Sequence, residues 1–336
     1  MLLKVFAAAA VLSTPPTIIS GGGGGVVVDG FVVVPAAAAA ARRRGGTAAS
    51  AMSIASLLEK EKSVLDELEK RTEKSVEKGV EVLPFVAGDD AAKRAWLLRF
   101  LASGDDLEAA VGRVEASIDW RLGEGLEIVR KARTSFEAAT SGGGWDNDPV
   151  LSAAPFSEKI APFVGAAKLL TLRNAKNDGL VYAIRAGEVD DKSLMAAVTP
   201  DELAQFFLYA KAVNEIVCAK LAAETNELSD VVTVNDLKGV DLFGDATFRQ
   251  VLSRTSKRGD QVFPGLAGPT ILLNLPPLAR ALVKIFKPLF PKSVQNKLKF
   301  AEFDLLDSPE QLLDRASPAR EAFLTEIDAI LAAAAA

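Results

Sequence analysis

Histidine is absent from all 336 residues of the chain. That absence removes the side chain most used as a general base near neutral pH, the commonest imidazole metal ligand, and any Ser-His or Cys-His nucleophile pair. Cysteine is nearly absent too: Cys218 is the single one, so no disulfide can close within the chain. It lies in an apolar helical stretch and reads as a buried, inert thiol. A formal net charge of −5 argues against broad nucleic-acid binding. Neither glycine run, Gly21 to Gly25 or Gly142 to Gly144, leads into a Gly-Lys-Ser/Thr loop or a dinucleotide fingerprint. Asp146-Asn147-Asp148 lacks the spacing of a calcium loop. Asp105-Asp106 and Asp190-Asp191 read as helix caps and turns. The residues therefore predict no catalytic group, no metal and no cofactor, and leave an enzyme acting on phosphate substrates as the remote alternative.

What is present is an ordinary globular composition, 49% hydrophobic and 25% charged, behind an unusual start. Residues 1 to 58 hold one acid, Asp29, against Lys4 and Arg42-Arg43-Arg44. The run from Leu2 to Leu12 is too short to span a bilayer and suits the apolar region of a signal peptide. Glycines, valines, an alanine run and the arginines follow, acid-poor and of low complexity. This pattern looks like a bipartite plastid leader, with a secretory signal or a cytoplasmic location as alternatives. Residues 1–50 are set apart from the fold as a disordered leader.

From Ser53 to Glu77 the spacing predicts a helix, with Leu57, Leu58, Leu65 and Leu68 on one stripe. Asp89 or Asp90 caps the next, which carries Trp96, Leu97, Phe100 and Leu101, and Asp105 opens another through Val111, Val114, Ile118 and Trp120. Short links between them predict a helical bundle over residues 53–140. Gly142 to Pro149 reads as a loop or linker. Beyond it come four short apolar runs, Lys168 to Leu172, Leu180 to Ile184, Val231 to Val234 and Thr270 to Leu273, each suited to a buried strand. Helices lie between them. The best marked opens with the capping box Thr199-Pro200-Asp201-Glu202 and continues through Leu203, Phe206, Phe207, Ala210, Val213, Val217 and Leu221. The fold class is α/β, with the sheet domain over residues 150–305 and further helices over 306–336.

Several of these segments form an ordered set. Leu97-Leu98-Arg99-Phe100-Leu101 and Asp119-Trp120-Arg121 come first, then Asp178-Gly179-Leu180-Val181-Tyr182 and Glu215. Asp236-Leu237-Lys238-Gly239, Asp260-Gln261-Val262-Phe263-Pro264, Leu273-Asn274-Leu275-Pro276 and Phe286-Lys287-Pro288-Leu289-Phe290 follow. In this order and spacing, over roughly residues 90 to 300, the chain resembles the CRAL-TRIO lipid-binding family, including its N-terminal helical domain.

The resemblance implies a mixed sheet flooring an apolar pocket, closed by a gate helix. The segment from Leu278 to Phe290 suits that gate, with Leu282, Val283, Ile285, Phe286, Leu289 and Phe290 toward a ligand. Arg280, Lys284 and Lys287 fall near the opposite side, where they would meet an anionic membrane surface. Between Arg249 and Lys299 ten lysines and arginines stand against one acid, Asp260. The implied function is binding, and intermembrane transfer or presentation, of one lipid or other hydrophobic molecule by a monomer, without chemistry. An adaptor with this fold and a collapsed pocket is the alternative.

Head-group determinants are only partly kept. The glutamate of the phosphatidylinositol-binding members falls on Gly265, while their lysine, 32 positions on, falls on Lys297. Their basic run is replaced by Ala102-Ser103-Gly104-Asp105. Of the pair used for phosphatidylcholine, Thr233 is kept and the serine position is Val231. A less polar ligand, such as a tocopherol, a carotenoid-derived molecule, a sterol or a plastid lipid, suits these positions. The family's Pro-x-x-Tyr-Gly-Gly ending is missing.

Overall fold

In the computed structural model, the residues described are 53–102, 106–142, 146, 148–164, 169–174, 179–241, 244–277, 298–302 and 305, with the backbone of 27–28 and 31–32. Within the segment assigned to a leader, Val27–Val28 (β1) and Phe31–Val32 (β2) pair antiparallel.

Among the described residues, five α-helices build the N-terminal half: Ile54–Lys60 (α1), Lys62–Gly79 (α2), Asp90–Ala102 (α3), Leu107–Leu122 (α4) and Leu126–Thr140 (α5). The helix expected from Ser53 to Glu77 is two, interrupted at Glu61, whose backbone leaves the helical region at the C-cap of α1. Caps are local: the Asp89 carboxylate accepts from Ala92 N–H, and Asp106, one residue beyond the expected Asp105, accepts from Ala109 N–H. Leu65, Leu68, Trp96, Leu97, Phe100, Val114 and Ile118 form one buried cluster between α2, α3 and α4. Each such side chain contributes about 1.5–3 kcal/mol by leaving water.

Two short helices, Asp148–Ala153 (α6) and Ser157–Val164 (α7), occupy the region after the turn-rich stretch, where the sequence pattern predicts no element. Their brevity and the internal Pro162 hide them from any periodicity test.

The sheet has five strands: Leu169–Asn174 (β3), Gly179–Arg185 (β4), Val231–Asp236 (β5), Ala267–Leu273 (β6) and Leu298–Ala301 (β7), in that spatial order. β3 pairs antiparallel with β4 and the remaining pairs are parallel. Four of these match the expected apolar runs; β7 is the addition. Its Leu298 is buried while Lys299 and Phe300 are exposed, an edge pattern that a search for apolar runs passes over.

Between β4 and β5 lie Asp191–Ala197 (α8) and Pro200–Thr225 (α9); between β5 and β6 lies Ala246–Val262 (α10). The capping box of α9 forms as expected, with Glu202 N–H donating to Thr199 Oγ1 and Thr199 N–H to Glu202 Oε2. Leu203, Phe206, Val213, Val217 and Leu221 of α9 then enter a large core with Leu180, Tyr182 and Val231 of the sheet. β5 is buried at every position, as a central strand covered on both faces must be. Cys218 is buried in α9, and burial pushes its thiol up to about 12, so it carries no thiolate at neutral pH. Among the described residues, no helix is long and apolar enough to cross a membrane.

Candidate functional site

In a strand, alternate residues share a face, so Val231, Thr233 and Asn235 point one way and Val232, Val234 and Asp236 the other. The β4–β5 register sets Leu180 opposite Val231 and Tyr182 opposite Thr233; β5–β6 sets Thr233 opposite Thr270. Tyr182, Thr233 and Thr270 therefore make one polar row across the middle of the sheet. Leu180, Tyr182 and Val231 assign it to the face whose core α9 shares.

Two hydroxyls of this row are buried and unpaired among the described residues. Thr233 is 0% exposed and Thr270 is 1% exposed, and neither hydroxyl has a hydrogen-bond partner. A buried hydroxyl without a partner costs about 1–3 kcal/mol. The Thr255 hydroxyl in α10 is buried and unpaired as well, but Thr233 and Thr270 stand side by side at the centre of the sheet. Beside them, burial raises the Tyr182 phenol well above its usual range and keeps it neutral. Of the expected ligand-binding residues, Thr233 lies in the central strand of the sheet. Lys297, Leu282, Val283, Ile285, Phe286, Leu289 and Phe290, and the expected membrane-contact residues Arg280, Lys284 and Lys287, lie outside the described residues.

Sequence reasoning did not single out Thr270. Its pairing with Thr233 depends on an irregularity in β6 between the partners of Val231 and Thr233, which shifts the register and which no local pattern announces.

The remaining residues of the ordered set join the helical half to the sheet. Arg99 donates from Nη2 to the Ser229 carbonyl and from Nη1 to the Gly265 carbonyl, at 2.7 and 3.2 Å. Those carbonyls lie just before β5 and β6, so one guanidinium ties down the start of both strands. Arg121 is 1% exposed and gives Nη2 to both oxygens of Glu215 at 2.8 Å. The same nitrogen reaches the Val262 carbonyl, and Nε reaches Ser117 Oγ. Trp96 Nε1 donates to Glu215 Oε1, and Phe263 lies under the Arg121 guanidinium and edge-on to Trp120. At the far ends of the strands, Asn274 Nδ2 and Lys238 N–H both donate to Asp236 Oδ1, closing the loops after β6 and β5 together.

Gly265, the position of the family glutamate, is dictated by the backbone. Its φ is +65°, and a Cβ there would stand 2.9 Å from the Arg99 carbonyl oxygen. No side chain fits without moving the α3–sheet contact.

The run of cations is also partly committed. Arg254 pairs with Asp201 and Arg258 with Glu124, and Arg249 donates to the Gly244 carbonyl. The charge counted along the sequence therefore overstates the charge that α10 offers to a membrane. Among the described residues, no group of acids and cysteine could hold a metal ion.

Comparison with known proteins agrees with this architecture. No curated protein sequence matches the chain. The crystal structure of Sfh5 is similar in fold, with a TM-score of 0.50 at 12% identity, over 78% of this chain and 90% of that one. Residues 169–314 match the family described as the CRAL/TRIO domain. They contain the whole sheet, the helices between its strands and the unsatisfied threonine row. Residues 169–314 are thus similar to the CRAL/TRIO domain, while the helical half lies outside that match.

Proposed function

We propose that this protein binds one hydrophobic molecule against the Tyr182–Thr233–Thr270 row and transfers or presents it without altering it chemically. The observation that carries the reading is the pair of adjacent buried hydroxyls with no partner among the described residues. A protein that kept this face permanently closed would gain by replacing either threonine with valine. Retaining both makes sense when a ligand's polar end supplies the missing hydrogen bonds while its apolar body stays dry. The ligand is then mostly hydrocarbon with a small neutral polar group. Burial of each methylene contributes about 0.8 kcal/mol, which is ample to extract such a molecule from water.

The reading also supplies a reason for Gly265. Where the phosphatidylinositol-binding pattern has a glutamate, this chain has a backbone that admits no side chain. Selectivity for an inositol phosphate is accordingly not expected.

A vesicle-to-vesicle transfer assay tests the proposal. Donor vesicles carry a fluorescent tocopherol, sterol or phosphatidylcholine with a quencher, and acceptor vesicles carry none. The expected result is protein-dependent dequenching for at least one of the less polar probes, reduced in a Thr233→Val/Thr270→Val variant. No transfer and no binding of any probe by the folded protein would contradict it.

A further inference from the structure

Away from the threonine row, the seam between the two halves holds a cavity of about 300 Å³. Its floor is the buried Arg121–Glu215 pair; its walls come from α5, α9 and the turn that follows α2. The hydrogen bonds on this floor are unevenly spent. Both oxygens of Glu215 are engaged, Oε1 accepting from Arg121 and Trp96 and Oε2 from Arg121. Among the described residues, Arg121 bonds through Nε and Nη2, and Nη1 makes no bond. A guanidinium whose residue is 1% exposed thus keeps one corner unpartnered beside a cavity it helps to line. At the rim stand two more arginines, Arg130 and Arg133, each with part of its guanidinium engaged, by Glu127 and the Leu83 carbonyl respectively, together with one acid, Glu81. Between floor and rim the wall is apolar, with Val129 and Ile216.

An open donor at the bottom of a partly apolar cleft, whose mouth carries two arginines against one glutamate, selects an anion that carries hydrocarbon. We propose that this cleft is a second binding site, separate from the sheet face, for a small amphipathic carboxylate. Its head group accepts from Arg121 Nη1 and Arg133, and its short chain covers Val129 and Ile216. Such a ligand sits on the bond that joins α4 to α9, so its occupancy strengthens the attachment of the helical half to the sheet domain. The site does not depend on the identity, or the existence, of a lipid at Thr233.

The test uses the full chain with octanoate as probe and octanol as its uncharged counterpart. Binding is followed by titration calorimetry and by the tryptophan fluorescence of Trp96, whose indole is bonded to Glu215. Two variants remove the site while sparing the buried pair: Arg133→Gln at the exposed rim and Ile216→Trp, which fills the cavity from a half-buried position. Saturable octanoate binding is expected, weakened about tenfold by R133Q and by exchange for octanol, as the loss of one charge-assisted hydrogen bond predicts. I216W abolishes it. Equal binding of octanol and octanoate would overturn the proposal, as would no saturable binding. Octanoate binding unchanged in R133Q or in folded I216W would place the probe elsewhere and overturn it as well.

Discussion

The seam and the threonine row are both buried, both polar, and opposite in one respect. At the seam Arg99 and the Glu215 carboxylate have their partners, and Arg121 is short only at the cavity. On the sheet, Thr233 and Thr270 have none. A closed network holds two pieces of protein together, since buried charge is tolerated only when it is paired. An open one leaves hydrogen-bonding capacity for a molecule that comes and goes. Burial alone does not separate the two regions; the number of satisfied bonds does, together with the adjacency of the two open hydroxyls.

Breaking the seam should cost most. Glu215→Gln leaves Arg121 buried and uncompensated, and about 3–5 kcal/mol of stability is lost by denaturant unfolding. The double variant Arg121→Met/Glu215→Leu recovers most of that loss, because both charges go together. A single-variant loss below about 1 kcal/mol would mean that water already reaches the pair.

Gly265→Glu comes next. It forces a side chain onto a φ of +65° against the Arg99 backbone, costing about 2 kcal/mol or more. No phosphoinositide binding is gained, since the glutamate cannot be reached without separating α3 from the strands. Restored phosphoinositide binding in a stable G265E protein would break this part of the comparison.

Lys211 offers a pH test between the two regions. It lies in α9 against Gly259 of α10, and burial lowers its amine's affinity for a proton, opposed in part by Asp260. The unfolded chain, with its ordinary lysine near about 10.4, then binds the proton more tightly than the folded one. Stability contributed by this site rises as pH climbs through the lowered folded value and levels off near the unfolded value. Lys211→Met should therefore melt a few degrees higher at pH 7, with the advantage shrinking toward pH 10. A pH-independent difference would show that the amine finds a partner in solution.

The smallest effect on stability belongs to the row. Thr233→Val and Thr270→Val should each stabilise the ligand-free protein by about 1 kcal/mol, because each removes an unpaired buried hydroxyl. They should weaken ligand binding at the same time. Stabilisation without loss of binding would return the row to the core.

How much of this was legible in the sequence follows from range. The capping box at Thr199, the apolar face of α9 and four of five strands depend on neighbours a few residues apart, and all were readable. Arg99, Trp120, Arg121 and Glu215 were visible as matches to a family pattern, but their role was not. Two of the partners of Arg121 lie 94 and 141 positions away, and spacing along the chain carries no information about such contacts. β7 escaped because an edge strand alternates with lysine, and α7 because Pro162 interrupts it. Thr270 escaped for the subtlest reason. One extra residue in β6 decides whether it stands beside Thr233 or faces the other way.

Native mass spectrometry of the purified full chain, followed by organic extraction, tests the central claim most directly. The account predicts one hydrophobic molecule of a single class per chain, retained by the wild type and lost more readily by the T233V/T270V variant. A clean ligand-free mass, unchanged after incubation with mixed vesicles, would contradict it and leave an adaptor with a closed sheet face in its place.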